Sequence, residues 1–408
     1  MSNEEQFFFG LDQLKRPIYL NGVQARYNKA VPAATRAGKG VTVQVLAPQY
    51  ALAGDGVYIF DPKRDSKMPR ALSHFCARRG LPFQLVDLRY DAPPQVCLFE
   101  GLNARQINTL FSAGFDLADT GGIDRVYRLE DREAAMKAAN FADTNDLRAL
   151  PALVRGVAGD EDITKARVFW GLLKELASLP PVGASKGFDL TAPFKHGGMV
   201  YVMGDPMDPV VKMAQRMVLV RVLLQIYERP RFDGPVRPIC VVLDEFKHLL
   251  SEPACDALGM IQDFGGHAML LFQSLGDLAS CAGIPEKRVR GAVLDNCKAK
   301  FILQSQNDET AKWASTETCE KTEFLESTDK AHDDARSPGQ WRQTVAPQVN
   351  PNAFIKMPPM TGALIVDGTA TIATVSPLIG MTPDLPPLFG NAEATKSLDE
   401  SPAEGALI

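Results

Sequence analysis

The chain has 408 residues, 45% of them hydrophobic and 23% charged, with a formal net charge of −5. That length suits a large α/β domain carrying an insertion, and the composition excludes a low-complexity, collagen-like or disulfide-scaffold protein. The acidic balance also excludes a global basic field for coating nucleic acid, although a channel lined locally by Lys and Arg stays open.

The first residues, Met1 to Gln6, lack the basic-then-apolar order of a signal peptide, and no stretch approaches the ~18 apolar residues of a membrane span. The seven cysteines are scattered, without a Cys-x-x-Cys pair or neighbouring His ligands. They read as reduced, mostly buried thiols, so a cytoplasmic protein is expected.

Pro17–Leu20 is a short strand. An apolar patch at Ala30–Ala34 leads into a Gly-Lys loop, and Val41–Leu52 follows as a helix. Val57–Asp61 and Pro82–Leu88 are buried parallel strands, so strand, helix and strand alternate at the pitch of a doubly wound sheet. From Asn103 the character changes, with helical periods at Glu130–Ala142 and Thr164–Ala177. Residues 103–185 therefore read as an all-α insertion between a first part, 1–102, and a second part, 186–380, of one nucleotide-binding domain.

The sheet resumes at Gly198–Met203, and a long amphipathic helix is expected from Pro209 to about Glu228. Three apolar runs, Ile239–Leu243, His267–Phe272 and Ala299–Leu303, suit central parallel strands. Thr318–Val349 is polar and mixed in charge and reads as a mobile loop. Ala363–Val375 reads as a closing hairpin turned at Asp367-Gly368. After about Pro383, within residues 381–408, the Pro, Ala, Glu and Ser content argues for a disordered tail.

Ala33–Val41 reads Ala-Ala-Thr-Arg-Ala-Gly-Lys-Gly-Val. The usual phosphate loop is Gly, four residues, then Gly-Lys-Ser/Thr, between a strand and a helix. Such loops work because backbone N–H groups at a helix N-terminus point at the anion and the helix dipole adds to their field. Gly38 lets the backbone approach, Lys39 neutralises the β/γ-phosphates, and Gly40 removes the hydroxyl that normally ligates Mg²⁺. Thr35, Arg36, Ala37, Gly38, Lys39, Gly40 and Val41 are the candidate ATP-binding residues; read alone, the stretch is equally a lysine in a surface turn.

About 200 residues downstream, Ile239–Glu245 is an apolar strand ending in two acids. Asp244 is placed to hold Mg²⁺ and Glu245 to polarise the attacking water. Gln273 ends the next apolar run, where an amide can sense a γ-phosphate. Asp61 and Lys63 end a strand beside the loop and read as supporting polar residues. Arg288 and Arg290 are candidates for arginine fingers into a neighbouring subunit. The five histidines show no metal-ligand spacing.

Taken in order, these motifs resemble the type IV secretion coupling proteins, the TraG/TraD group of P-loop ATPases. Many members carry a loop reading Ala-Pro-Thr-Arg-Ser-Gly-Lys-Gly-Val, which Ala33, Thr35, Arg36, Gly38, Lys39, Gly40 and Val41 match. Asp61-Pro62-Lys63, Leu243-Asp244-Glu245-Phe246 and Gln273-Ser274 followed by Leu275 and Leu278 match further motifs, as does a segment like Pro351–Pro358 before a final hairpin. The likeness runs from about Phe9 to Pro377.

The resemblance implies a RecA-like P-loop fold, an inserted all-α domain and a homo-hexamer with ATP sites between neighbours. It also implies ATP hydrolysis coupled to moving single-stranded DNA, or a relaxase–DNA complex, into a type IV secretion channel. Membrane contact would come through partners, at the inner face of the cytoplasmic membrane. Besides Arg64 in place of a glycine, two departures stand out: Ala34 replaces the loop proline, which should leave the loop less ordered, and the family's usual N-terminal membrane anchor is missing, so a soluble form or a cytosolic part is expected. The rival readings are a HerA/FtsK-like DNA pump and a non-hydrolysing adaptor that recruits secretion cargo.

Overall fold

Short apolar runs that alternate between two buried faces can only be satisfied by a sheet covered on both sides. The computed structural model describes residues 5–63, 67–117, 125–229, 236–280, 284–327 and 340–377. Among them β1 (Gln6–Leu11), β2 (Pro17–Asn21), β3 (Lys29–Pro32), β4 (Gly56–Asp61), β5 (Phe83–Asp87), β6 (Gly198–Met203), β7 (Ile239–Leu243), β8 (Gly266–Phe272) and β9 (Ala299–Ile302) precede a ribbon, β10 (Glu320–Ser327) and β11 (Gln340–Pro347), and a hairpin, β12 (Thr361–Val366) and β13 (Thr369–Thr374).

Eleven of these strands form one sheet in the order β2-β1-β13-β12-β9-β3-β8-β7-β4-β6-β5. From β9 to β5 every neighbouring pair is parallel, while the β12, β13, β1 and β2 side is antiparallel. The architecture is α/β with a predominantly parallel sheet, as the sequence indicates.

Successive side chains of each central strand face opposite sides, because the strand repeat is two residues. Val31, Val57, Ile59, Tyr201, Val242 and Leu271 point to one face, under the helices Lys39–Leu52 and Lys67–Arg79. Ala30, Tyr58, Phe60, Val202, Leu243 and Phe272 point to the other, under the helix Pro209–Tyr227.

That helix is not amphipathic. Val211, Met217, Leu219, Val222 and Leu223 are buried around its circumference, together with Gln215 and Arg221. The reason lies upstream: the helices Ala104–Gly114 and Arg167–Ala177 pack against it, with Arg125–Thr144 and Leu150–Val157 packed on those. Their Leu110, Phe111, Leu153, Phe169 and Leu173 join the same apolar cluster as the strands, so this helical stretch shares its core with the sheet. Arg221 adds a polar tie, donating to the carbonyls of Cys97, Leu98 and Glu100.

The expected loop at Thr318–Val349 is instead largely a two-stranded antiparallel ribbon, in register from Glu320↔Pro347 to Ser327↔Gln340. Its polar sequence hid the strands, because it carries no alternating apolar row. Thr322, Phe324, Thr344 and Val345 still supply β-branched and aromatic character. The hairpin turns at Asp367 and Gly368, both at positive φ (49° and 76°), the geometry that two-residue Asp-Gly turns favour. The stretch after Pro383 lies outside the described residues. Cys76, Cys97, Cys240, Cys255 and Cys297 are buried, Cys319 is exposed, and none of these six described cysteines forms a disulfide. No helix of the described residues is long and apolar enough to cross a membrane.

Candidate functional site

Strand order explains why residues up to 238 apart in sequence meet. The neighbours β3, β8, β7 and β4 run parallel, so the loops leaving them emerge side by side at one edge. The loop after β3 carries Lys39, β8 ends at Gln273, β7 leads into Asp244 and Glu245, and β4 leads into Lys63. At ~4.8 Å per strand, the row is short enough for long side chains to bridge it.

The phosphate-type loop is built by backbone rather than side chains. Arg36 and Gly38 both take positive φ (65° and 116°), and Gly38 starts the helix Lys39–Leu52 without any side-chain cap. The first N–H groups of a helix have no intrahelical acceptor, so this end is an open anion cradle at the positive end of the helix dipole. A Cβ on Gly38 would stand 3.0 Å from Met360 Cα and 3.1 Å from Met360 Cγ. Met360 N–H in turn donates to the Ala37 carbonyl (2.7 Å), so the segment entering β12 clamps the loop from outside.

Ala34 does not loosen the loop as the missing proline suggests. Its N–H donates to the Gln304 carbonyl (2.8 Å), a bond no proline could make, and the Ala33 N–H donates to Phe272 (3.0 Å). The loop is tied to strands on both of its sides.

The charged groups converge tightly. Lys39 Nζ lies 3.3 Å from Glu245 Oε1, and both side chains are more than nine-tenths buried. Lys63 Nζ reaches Asp244 Oδ2 at 2.8 Å and Glu245 Oε1 at 3.0 Å. Gln273 Nε2 donates to both Glu245 oxygens (3.2 and 3.1 Å), and Thr35 Oγ1 stands 3.5 Å from Gln273 Oε1. Glu245 itself sits in the left-handed region at φ 43° and ψ 54°, an uncommon conformation for a residue with a side chain.

Burial opposes the charge of Glu245, but Lys39 and Lys63 outweigh it and hold the carboxyl at about 2. Lys39 is pushed down by burial, which its acidic neighbours only partly offset. Lys63 also loses to burial but gains more from Asp244 and Glu245, so its ammonium is held above the ordinary range. Asp61 is pushed up to about 6 by burial and then by the charge of Asp244, against the hydrogen bond from Tyr201 (2.5 Å).

Lys63, read as a supporting residue, touches both acids directly. Sequence reasoning missed four further supports: Tyr201, Gln215, Asp277 and Met360. Tyr201 and the Lys63 N–H (2.8 Å) fix the Asp61 carboxylate, and Gln215 Nε2 donates to the Asp61 carbonyl (3.1 Å). Asp277 accepts from the Gln273 N–H (2.8 Å) and pairs with Lys247 (3.2 Å). Met360 holds the loop. Tyr201 and Gln215 against Asp61, and Met360 against Ala37, join parts of the chain remote in sequence and leave no spacing signal, whereas Asp277 lies only four residues beyond Gln273. Arg288 pairs with Glu252 and Asp256, and Arg290 with Glu286 and Glu309, so both guanidiniums are engaged by acids of this chain.

The donor set fits a nucleoside triphosphate: an uncapped helix end, two lysines at one edge, and a glycine at φ 116° that turns the loop into the helix. Among the described residues no group of three His, Cys, Asp or Glu could hold a metal ion alone. A Mg²⁺ ion here would rest on Asp244, phosphate oxygens and water, which is how Mg²⁺ is commonly bound. A Cβ at position 40 would stand 3.0 Å from Met68 Cε, so the glycine accommodates that methionine.

Residues 238–359 match the family described as the TraM recognition site of TraD and TraG. Mobilization protein A of Escherichia coli is 25% identical over 312 residues, covering 75% of this chain. The chain spans 57% of the length of that curated relative. The fold is similar to the unbound monoclinic form of the bacterial conjugative coupling protein TrwBdeltaN70 (TM-score 0.68, 15% identity, 90% of this chain and 88% of that one). It is also similar to the plasmid coupling protein TrwB in complex with ADP and Mg²⁺ (TM-score 0.66, 16% identity, 92% and 94%). VirB4 of Thermoanaerobacter pseudethanolicus shares the fold at a TM-score of 0.58, 15% identity and coverage of 92% and 97%. The chain thus shares the RecA-like α/β fold of these coupling proteins, and its residues 238–359 match the TraM recognition site of TraD and TraG.

Proposed function

We propose that this chain is an ATPase that drives DNA, or a relaxase–DNA complex, toward a type IV secretion channel. The observation that carries the reading is the convergence of Lys39, Lys63, Asp244, Glu245 and Gln273 within hydrogen-bonding reach beside an uncapped phosphate-type loop. TrwB has been solved with ADP and Mg²⁺ and with non-hydrolysable ATP and GTP analogues, which supports the same ligand class for this site. Bound Mg²⁺–ATP supplies a terminal phosphoryl group for transfer to water.

The loop from Thr35 to Val41 cradles the phosphates with backbone N–H groups, and Lys39 adds a fixed positive charge. Asp244 holds Mg²⁺. With a carboxyl held at about 2, Glu245 is a poor proton acceptor while the lysines face it. As phosphate oxygens compete for Lys39, Glu245 loses a cation, its proton affinity rises, and it can orient and deprotonate water. Gln273 donates to the Glu245 carboxylate and lies beside Thr35, so a terminal phosphate can be read at the water-activating acid.

DNA contacts are expected in a pore of a homo-hexamer, through the backbone and independent of sequence, and therefore salt-sensitive. Work would take place on the cytoplasmic side, with partners providing membrane contact. The test is ATP hydrolysis with and without single-stranded DNA for wild type and Lys39→Ala. Stimulation by DNA in the wild type and loss in the variant are expected. A folded wild type that binds ATP yet never hydrolyses it would leave the adaptor reading standing instead.

A further inference from the structure

The reading above gives Lys63 no part in handling the nucleotide, yet it is the cation of the site that touches both acids. Its ammonium bridges the proposed metal carboxylate and the proposed water-activating carboxylate, at 2.8 Å from Asp244 and 3.0 Å from Glu245. The side chain is 43% exposed, against 8% for Lys39, so one end of it is free to swing while Lys39 is packed in place. Its backbone, by contrast, is fixed: the Lys63 N–H donates to Asp61 Oδ1, and Asp61 is held by Tyr201. A mobile ammonium on an anchored backbone, opposite two acids and beside a phosphate cradle, is built to change partners.

Resting on the nucleotide-site reading, we propose that Lys63 is a further nucleotide-binding residue: an internal cation that occupies the two acids in the unliganded chain and passes to the terminal phosphate when Mg²⁺–nucleotide binds. Two consequences follow from electrostatics. An ammonium against Asp244 competes with a divalent cation for the same carboxylate, so Lys63 raises the Mg²⁺ needed for binding. An ammonium delivered to the terminal phosphate also favours ATP over ADP, because only ATP presents that group. Charge beside the transferring group would then come from within the chain, and the two arginines of residues 284–294 are already committed to Glu252, Asp256, Glu286 and Glu309.

The experiment uses the full chain and two fluorescent probes, an N-methylanthraniloyl ATP and the matching ADP, titrated over a range of MgCl₂. Wild type, Lys63→Met and Lys63→Arg are compared, with melting curves for each and Lys39→Ala as a control. Lys63→Met should lose ATP affinity by about tenfold with little change for ADP, the scale of one charge-assisted hydrogen bond. It should also reach half-saturation at a lower Mg²⁺ concentration, and Lys63→Arg should recover much of the ATP preference. Unchanged ATP:ADP preference and Mg²⁺ dependence in a folded Lys63→Met would overturn the proposal and leave Lys63 as a surface ion pair. Wild type that binds neither probe, or binds them as well as Lys39→Ala does, would overturn the nucleotide-site reading itself and this proposal with it.

Discussion

Two glycines flank Lys39, and the structure assigns them opposite sensitivities. Gly38→Ala places a methyl group on a residue at φ +116°, 3.0 Å from Met360 Cα and 3.2 Å from Met360 N. The conformational penalty for an L-residue there is roughly 1–2 kcal/mol. Met360 cannot retreat without lengthening its bond to the Ala37 carbonyl (2.7 Å), which adds about 1 kcal/mol. The expected cost is therefore about 2–3 kcal/mol, together with loss of nucleotide binding.

Gly40→Ser puts its Cβ 3.0 Å from Met68 Cε, the far end of a flexible side chain that can move by a few tenths of an ångström. A first-turn serine also has better helix propensity than glycine, by roughly 0.5 kcal/mol. The two effects cancel, so this variant should match wild type within about 0.5 kcal/mol and bind Mg²⁺–nucleotide more tightly through the added hydroxyl. Urea unfolding monitored by circular dichroism, with Mg²⁺ titrations of nucleotide binding, measures both. Equal destabilisation by the two variants, or a larger cost for Gly40→Ser, would refute the backbone reasoning.

Other outcomes follow from the same contacts. Ala34→Pro gains about 0.4–1 kcal/mol of unfolded-chain entropy but removes the N–H bound to Gln304, so a net loss of about 1 kcal/mol is expected and a higher melting temperature would contradict it. Asp61 has a folded pKa of about 6 against an ordinary 3.8, so between those values the folded chain holds a proton that the unfolded chain has lost. Stability then falls as pH rises through this window, and above it the full cost, roughly 3 kcal/mol, is present. Asp61→Asn should therefore melt above wild type near pH ~8 and lose that advantage toward pH ~4; the reverse order would refute the sign. Asp277→Ala frees the Gln273 backbone and should keep ATP binding while lowering kcat by about tenfold. Equal losses in binding and turnover would instead make Asp277 a general support of the loop.

Much of the fold was legible because central parallel strands are short apolar runs with acids or amides at their ends. Val57–Asp61, Ile239–Glu245 and the run ending at Gln273 all fell where the structure has them. Two elements misled for opposite reasons. The ribbon β10–β11 carries no alternating apolar row in its sequence, and the helix Pro209–Tyr227 is buried around its circumference, so its period is erased. At the site, each strand-end residue could be named one at a time, but the strand order β3-β8-β7-β4 is a tertiary fact. Without it, nothing placed Lys63 against Asp244, or Met360, more than 300 residues on, against Gly38. Ala34 shows the remaining limit: a missing proline implied freedom, whereas the N–H it restored became a tie to Gln304.

The account rests on this edge of the sheet being a DNA-responsive ATP-hydrolysing site completed in an assembly. Its most direct test is the steady-state ATPase rate per chain, measured against protein concentration with and without single-stranded DNA, for wild type and Glu245→Gln. The predicted result is a wild-type rate that rises with concentration and rises again with DNA, while Glu245→Gln binds ATP but stays inactive. A rate per chain that is independent of both concentration and DNA, or one that survives in Glu245→Gln, would contradict it.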